Sequence, residues 1–209
     1  MRAVRVALIW AALAAAILVP MGFAAVSPLH EYRSLTYIVA GFAGIVALGL
    51  VLLQPLLIGG YLPGLQGYSG RRTHLWIGGA LVAAVLVHVG GLWIASPPDM
   101  IDALLFMSPT LFSPFGVIAM WAIFATALFA ALRRRSGLAP RTWRSAHMSL
   151  AVVIVVCSVV HSLLIEGTME TMSKAALCAL VVLAAVKVMA GRVSRKRPAA
   201  RGESASNPL

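Results

Sequence analysis

The sequence predicts an all-α membrane protein, a six-transmembrane-helix bundle with both termini cytoplasmic. Three observations carry that expectation. Of the 209 residues, 61% are hydrophobic and only 11% are charged, whereas a soluble domain carries about a quarter charged residues. The apolar residues fall into runs of about 20, the length a helix needs to cross a bilayer. Finally, every Lys and Arg except Arg33 and Lys174 lies at the N-terminus, in residues 58–72, in residues 133–145, or at and beyond the end of the last run. The positive-inside rule puts those segments, and so both ends of the chain, in the cytoplasm. The net charge of +11 then reads as orientation in a membrane, not as nucleic-acid binding.

The elements follow in order. Arg2 and Arg5 precede an apolar run to about Val26. Gly22-Phe23-Ala24-Ala25 would suit signal-peptide cleavage, but the run exceeds the usual apolar core of a leader, so a retained first helix is expected. His30, Glu31 and Arg33 form a short outer loop, with His30 either interfacial or at the edge of a bound cofactor or substrate. A second helix covers about 35–57, ended by Pro55. Its Gly41 and Gly44 would let a neighbouring helix approach. Residues 58–72 are a glycine-rich loop. The third helix spans about 73–95. Residues 96–112 contain Pro97, Pro98, Asp99, Asp102 and Pro109 but no basic residue, and Leu104, Leu105 and Phe106 suggest a segment lying in the interface. Helix four covers about 113–132, helix five about 146–165, helix six about 171–190. A basic tail, 192–209, has the composition of a disordered cytoplasmic segment. Cys157 and Cys178 lie within apolar helices as small packing residues, and no CxxC or CxxCH occurs.

Four of the five histidines share one pattern. His74 and His88 lie on the third helix, His147 and His161 on the fifth, each pair 14 residues apart. At ~1.5 Å and ~100° per residue, 14 steps advance ~21 Å and return to within ~40° of the same face. Ionisable groups at membrane depth are rare and usually functional. A lone histidine in an apolar helix is often mere packing, but packing does not explain a repeated interval. Helices three and five both start on the cytoplasmic side, so they run parallel, with His74 level with His147 and His88 level with His161. Imidazole suits iron, copper, zinc and nickel. Two histidines per level without a nearby Cys or carboxylate make a poor zinc or non-haem iron site. They suit the two axial positions of haem iron, with the porphyrin supplying the rest.

Neighbouring residues leave alternatives open. Gly78, Gly79, Gly90 and Gly91 would let a flat macrocycle lie against the third helix, or another helix pack there. Arg72 and Arg144, near the inner histidines, would pair with haem propionates or simply mark the cytoplasmic side. Trp76, Trp93, Trp121 and Trp143 serve equally as interface anchors or electron-path elements.

Arg71-Arg72-Thr73-His74 with His88, and Trp143-Arg144-Ser145-Ala146-His147 with His161, resemble the ferric-reductase-type transmembrane domain. That superfamily includes ferric reductases, NADPH oxidases and the haem-binding membrane subunit of the bacterial methionine sulfoxide reductase system. The likeness covers about residues 35–190. It implies a six-helix domain that binds two b haems and passes electrons across the membrane. Here the sequence departs from the larger members, since no GxGxxG or other FAD or NADPH site is visible. A separate donor, a flavoprotein or quinol, is then expected. The acceptor on the outer side would be ferric iron or a partner reductase.

The expected organisation is residues 1–34 as first helix and outer loop, 35–191 as the haem-binding transmembrane domain, and 192–209 as the tail. The setting is membrane lipid, of the bacterial inner-membrane type, with no nucleic acid. His74, His88, His147 and His161 are the expected iron ligands, and Arg72 and Arg144 the further cofactor contacts. The competing readings are a transporter or channel using buried histidines for protons or metal ions, and a structural anchor. Orientation has a direct test. A cysteine introduced at Ser136 should resist a membrane-impermeant thiol reagent in intact cells, and ready labelling from outside would invert the topology.

Overall fold

In the computed structural model the residues described are 1–133, 135 and 137–196, without the side chains of 192–196. They form α1 (Arg2–Ala25), a 3₁₀ turn (Pro28–Tyr32), α2 (Leu35–Ile58), α3 (Gly67–Ala95), a short α4 (Pro97–Leu104), α5 (Ser113–Ala131), α6 (Pro140–Leu164) and α7 (Thr171–Lys196). All but α4 and the 3₁₀ turn are long and apolar enough to cross a membrane, six in total. The chain is a multi-pass, all-α integral membrane protein.

Local chemistry sets the boundaries. Ser34 caps α2 by accepting from the Tyr37 amide at 3.3 Å. Pro97 opens α4 and Pro140 opens α6, where the missing N–H costs nothing. Glu170 stands ahead of α7 and accepts from the Ser173 and Met172 amides at 2.6 and 2.7 Å. These bonds hold its carboxyl below the usual carboxylate range. In the α2–α3 loop the backbone turns left-handed at Gly60, Gly64 and Gly67, with φ of 71°, 81° and 62°, which glycine adopts without a Cβ clash.

Several boundaries differ from the sequence expectation. Pro55 lies inside α2, which continues to Ile58. Proline removes one amide bond near a terminus, where loss is least costly. α3 and α6 begin about six residues earlier than expected, so the arginines before each histidine are helical. The apolar period starts late there, but helix geometry does not. Residues 192–196 of the expected tail continue α7, and the rest of the tail, 197–209, lies outside the described residues, as does Arg134 in the basic loop.

The packing is two hairpins and two supports. α2 packs along α3, and α5 along α6. α7 contacts both α2 and α6, while α1 lies outside against α2 and α7. The α1 contact is close at Gly49, where an added Cβ would meet Ile17 at 3.2 Å. The core joins Leu48, Val51, Leu81, Ile123, Leu177 and Val181. α3 and α6 make hardly any direct backbone contact. The two histidine-bearing helices therefore face each other across a slot.

Candidate functional site: facing histidines across a slot

The slot brings the four histidines together in two pairs. His74 faces His147 with ring centres 6.3 Å apart and planes at 69°. His88 faces His161 at 6.5 Å and 80°. α3 and α6 are thus parallel and in register. Two imidazoles sharing one metal atom, each nitrogen about 2 Å from it and each ring centre about 1.1 Å behind its nitrogen, would have centres about 6.3 Å apart. Both pairs lie close to that separation. Among the described residues, no three His, Cys, Asp or Glu side chains converge on a common point.

The His88–His161 level is held by a duplicated device. Nδ1 of His88 donates to the Ala40 carbonyl at 2.7 Å. Nδ1 of His161 donates to the Phe112 carbonyl at 2.9 Å. A carbonyl only accepts, so Nδ1 carries the proton in both rings and Nε2 is left with its lone pair. Each acceptor lies four residues before a glycine, Gly44 on α2 and Gly116 on α5. In a helix the carbonyl of residue i points at the amide of i+4, as Phe112 does to Gly116 at 3.2 Å. Without a Cβ at i+4, a ring from the next helix reaches that carbonyl. A Cβ at Gly44 would sit 2.9 Å from His88 Nδ1, and one at Gly116 2.7 Å from His161 Nδ1. Gly44 precedes His88 by 44 residues and Gly116 precedes His161 by 45. The hairpins α2–α3 and α5–α6 thus build the same half-site twice.

At the other level, Trp143 stacks on His147, with centres 5.0 Å apart and planes at 13°. The Arg133 guanidinium lies 4.2 Å from the Trp143 ring centre. The tryptophan therefore packs against a site histidine in addition to any anchoring role. Arg72 and Arg144 are exposed on the second turns of α3 and α6. By helical period Arg144 shares a face with His147, whereas Arg72 lies about 200° around from His74.

A cavity of about 560 Å³ opens beside His88 and His161. Its walls are apolar, among them Leu48, Val51, Val85 and Met120, and its mouth is lined by His30, Arg33, Asp99, Glu166 and Lys174. His30 stacks on Phe42 at 6.0 Å and hydrogen-bonds the Ala24 carbonyl. Lys174 is 6% exposed, and its Nζ donates to the Ile165 carbonyl at 2.8 Å.

Sequence reasoning missed Gly116, the two carbonyls and Lys174. The matching interval from glycine to histidine was a usable signal for Gly116. Lys174 read as a loop charge because it falls one turn inside α7. Of the glycines on α3, Gly91 packs on α2, where an added Cβ would meet Ala40 at 2.8 Å, one at Gly78 would lie 3.4 Å from Gln54, and one at Gly79 or Gly90 would meet nothing within 4 Å. No protein-family model, no curated protein and no solved structure matches the chain.

The glycine device has a simple test. Gly44→Ala and Gly116→Ala should each displace a histidine ring and lower stability by about 1–3 kcal/mol, the usual cost of overpacking. Gly41, with nothing within 4 Å of an added Cβ, serves as the control. Thermal unfolding in detergent should separate the first two from Gly41→Ala, and equal melting of all three would contradict the device.

Proposed function

We propose that the chain is a di-haem b electron-transfer protein of the ferric-reductase-like type, carrying electrons across the membrane. The observation that carries this reading is the pair of facing imidazoles at metal-bridging separation, found twice across one slot. Zinc sites take three or four protein ligands. A site offering two imidazoles suits a metal whose other ligands come with a macrocycle. His74 with His147 would hold one haem, and His88 with His161 the other. When bound, haem supplies one-electron redox chemistry at iron, tuned by its axial ligands and their hydrogen bonds.

The residues present fit that group. The slot between α3 and α6 suits a flat guest. The cavity beside His88 and His161 lies within the ~300–1,000 Å³ range of ligand sites, and it is apolar with one polar end. Ala40 and Phe112 fix the tautomer that leaves Nε2 free to ligate, and such hydrogen bonds also raise imidazole basicity. Nothing in these contacts requires covalent attachment, consistent with b-type haem.

Between the two levels the buried residues of α3 and α6 are Leu81, Val85, Ile154, Cys157 and Val159. An apolar layer excludes water and protons, while electrons cross without a polar path. This favours electron transfer over a proton or metal-ion pathway. The histidine levels would lie ~21 Å apart along the helices. With the arginine-rich side cytoplasmic, in a bacterial inner membrane, His74 and His147 would receive electrons. The donor in this reading would be a flavoprotein or a quinol. His88 and His161 would pass electrons to ferric iron or a partner reductase outside. The chain's own part is to ligate, to orient the rings and to keep the path dry. Arg144, on the face of His147, would add positive charge near the inner group, whereas Arg72 lies on the opposite face of α3 from His74.

Pairing is tested by four single variants. His74→Ala and His147→Ala should share one spectral and redox defect, and His88→Ala and His161→Ala a different one. A double variant within a level should look little worse than either single, as for residues acting as a unit. Reduced-minus-oxidised spectra with potentiometric titration read this out. Full haem retention in all four would remove the histidines as ligands and sink the proposal.

A further inference from the structure

The cavity beside His88 and His161 has one charged end. Of the four Arg, Lys, Asp and Glu side chains at its mouth, Arg33, Asp99 and Glu166 are exposed. Arg33 also stacks over Tyr37, 4.6 Å from the ring centre. Asp99 accepts from Ser96 Oγ at 2.7 Å. Lys174 alone is buried, at 6% exposed. An ammonium has three N–H donors, and one goes to the Ile165 carbonyl. Among the described residues no Asp or Glu pairs with it. A buried cation with donors to spare is costly unless an anion meets it.

The side chain is also held in place. The Lys174 amide donates to the Glu170 carbonyl at 3.0 Å, and the Ile165 amide to the His161 carbonyl at 3.1 Å. Through Ile165, Nζ is tied to the helical turn that carries His161. A flat ligand gripped by that histidine would present an edge to the ammonium.

We propose that Lys174 is the anion-binding group of this cavity and that it pairs with the carboxylate edge of the haem held by His88 and His161. The propionates then face the cavity mouth, and the apolar edge faces Val51, Val85 and Met120. This assignment rests on the haem reading above. It also differs from the sequence expectation, which gave propionate contacts only to Arg72 and Arg144 at the other level. A cation beside the propionates stabilises the reduced iron, because reduction adds negative charge that the ammonium offsets.

The test uses the purified full-length protein with both haems. Lys174→Met should lower the reduction equilibrium constant of one haem by about tenfold, 59 mV for a one-electron couple, leaving the other unchanged. The affected haem should be the one lost in His88→Ala. Its propionate bending band in the resonance Raman spectrum should move while its vinyl bands stay. Lys174→Arg should keep the midpoint but still move the propionate band, and Lys187→Met, remote on the other side, should change neither. Two haems in Lys174→Met with both reduction equilibrium constants within twofold of wild type and an unmoved band would overturn the assignment. If Lys174→Met does not accumulate, Lys174→Arg decides, and an unmoved band there overturns it equally. Wild-type protein devoid of haem would instead overturn the haem reading itself.

Discussion

The structure depends on a separation. α3 and α6 carry the histidines, run parallel and do not close on each other. Apolar membrane helices normally pack at about 8–10 Å between axes, because dispersion rewards contact. Here each of the two instead packs on its own hairpin partner, α2 or α5, and α7 contacts α2 and α6. The gap survives because the contacts that would collapse it have been satisfied elsewhere. Histidine rings reach into it from both walls and stop at a distance that fits a shared metal atom.

Duplication supplies that geometry economically. A glycine on α2 and another on α5 each bare a backbone carbonyl, and a histidine of the partner helix in the hairpin uses it as an orienting acceptor. The same bond then does two things: it satisfies a buried imidazole N–H and selects the tautomer that leaves Nε2 with its lone pair. The two half-sites diverge at their surroundings. The Arg133–Trp143–His147 stack belongs to one end, and the Lys174 cavity to the other. In the proposed reading, such differences are what would give two chemically similar centres different potentials and a preferred direction of flow.

Much of this was legible in the sequence, for a physical reason. Spans of membrane helix are written in composition, and an interval of 14 residues on a helix is a statement about face and depth. His74 through His161 could therefore be paired without coordinates. The limits are equally physical. Pro55 reads as a stop in the sequence, yet a helix tolerates proline where only one terminal bond is lost. Gly91 and Gly116 look alike in sequence, but one meets a neighbouring helix and the other a ring. Which of the two a glycine meets depends on helix rotation, which a uniformly apolar helix does not encode. Lys174 posed the same problem, since a charge one turn inside a helix can point to water or into a cavity.

The central claim is that each facing pair shares one iron through two imidazoles. The ring planes cross at 69° and 80°, far from parallel. Near-perpendicular axial imidazoles leave the highest occupied iron d orbitals almost degenerate, which gives a low-spin ferric signal with an unusually large highest g value. Low-temperature electron paramagnetic resonance of the oxidised, purified protein measures this directly. The account predicts two such signals, one per histidine level, each lost with either histidine of its pair. A protein with no ferric low-spin signal, or one whose haem is high-spin and so lacks a second imidazole, would contradict it.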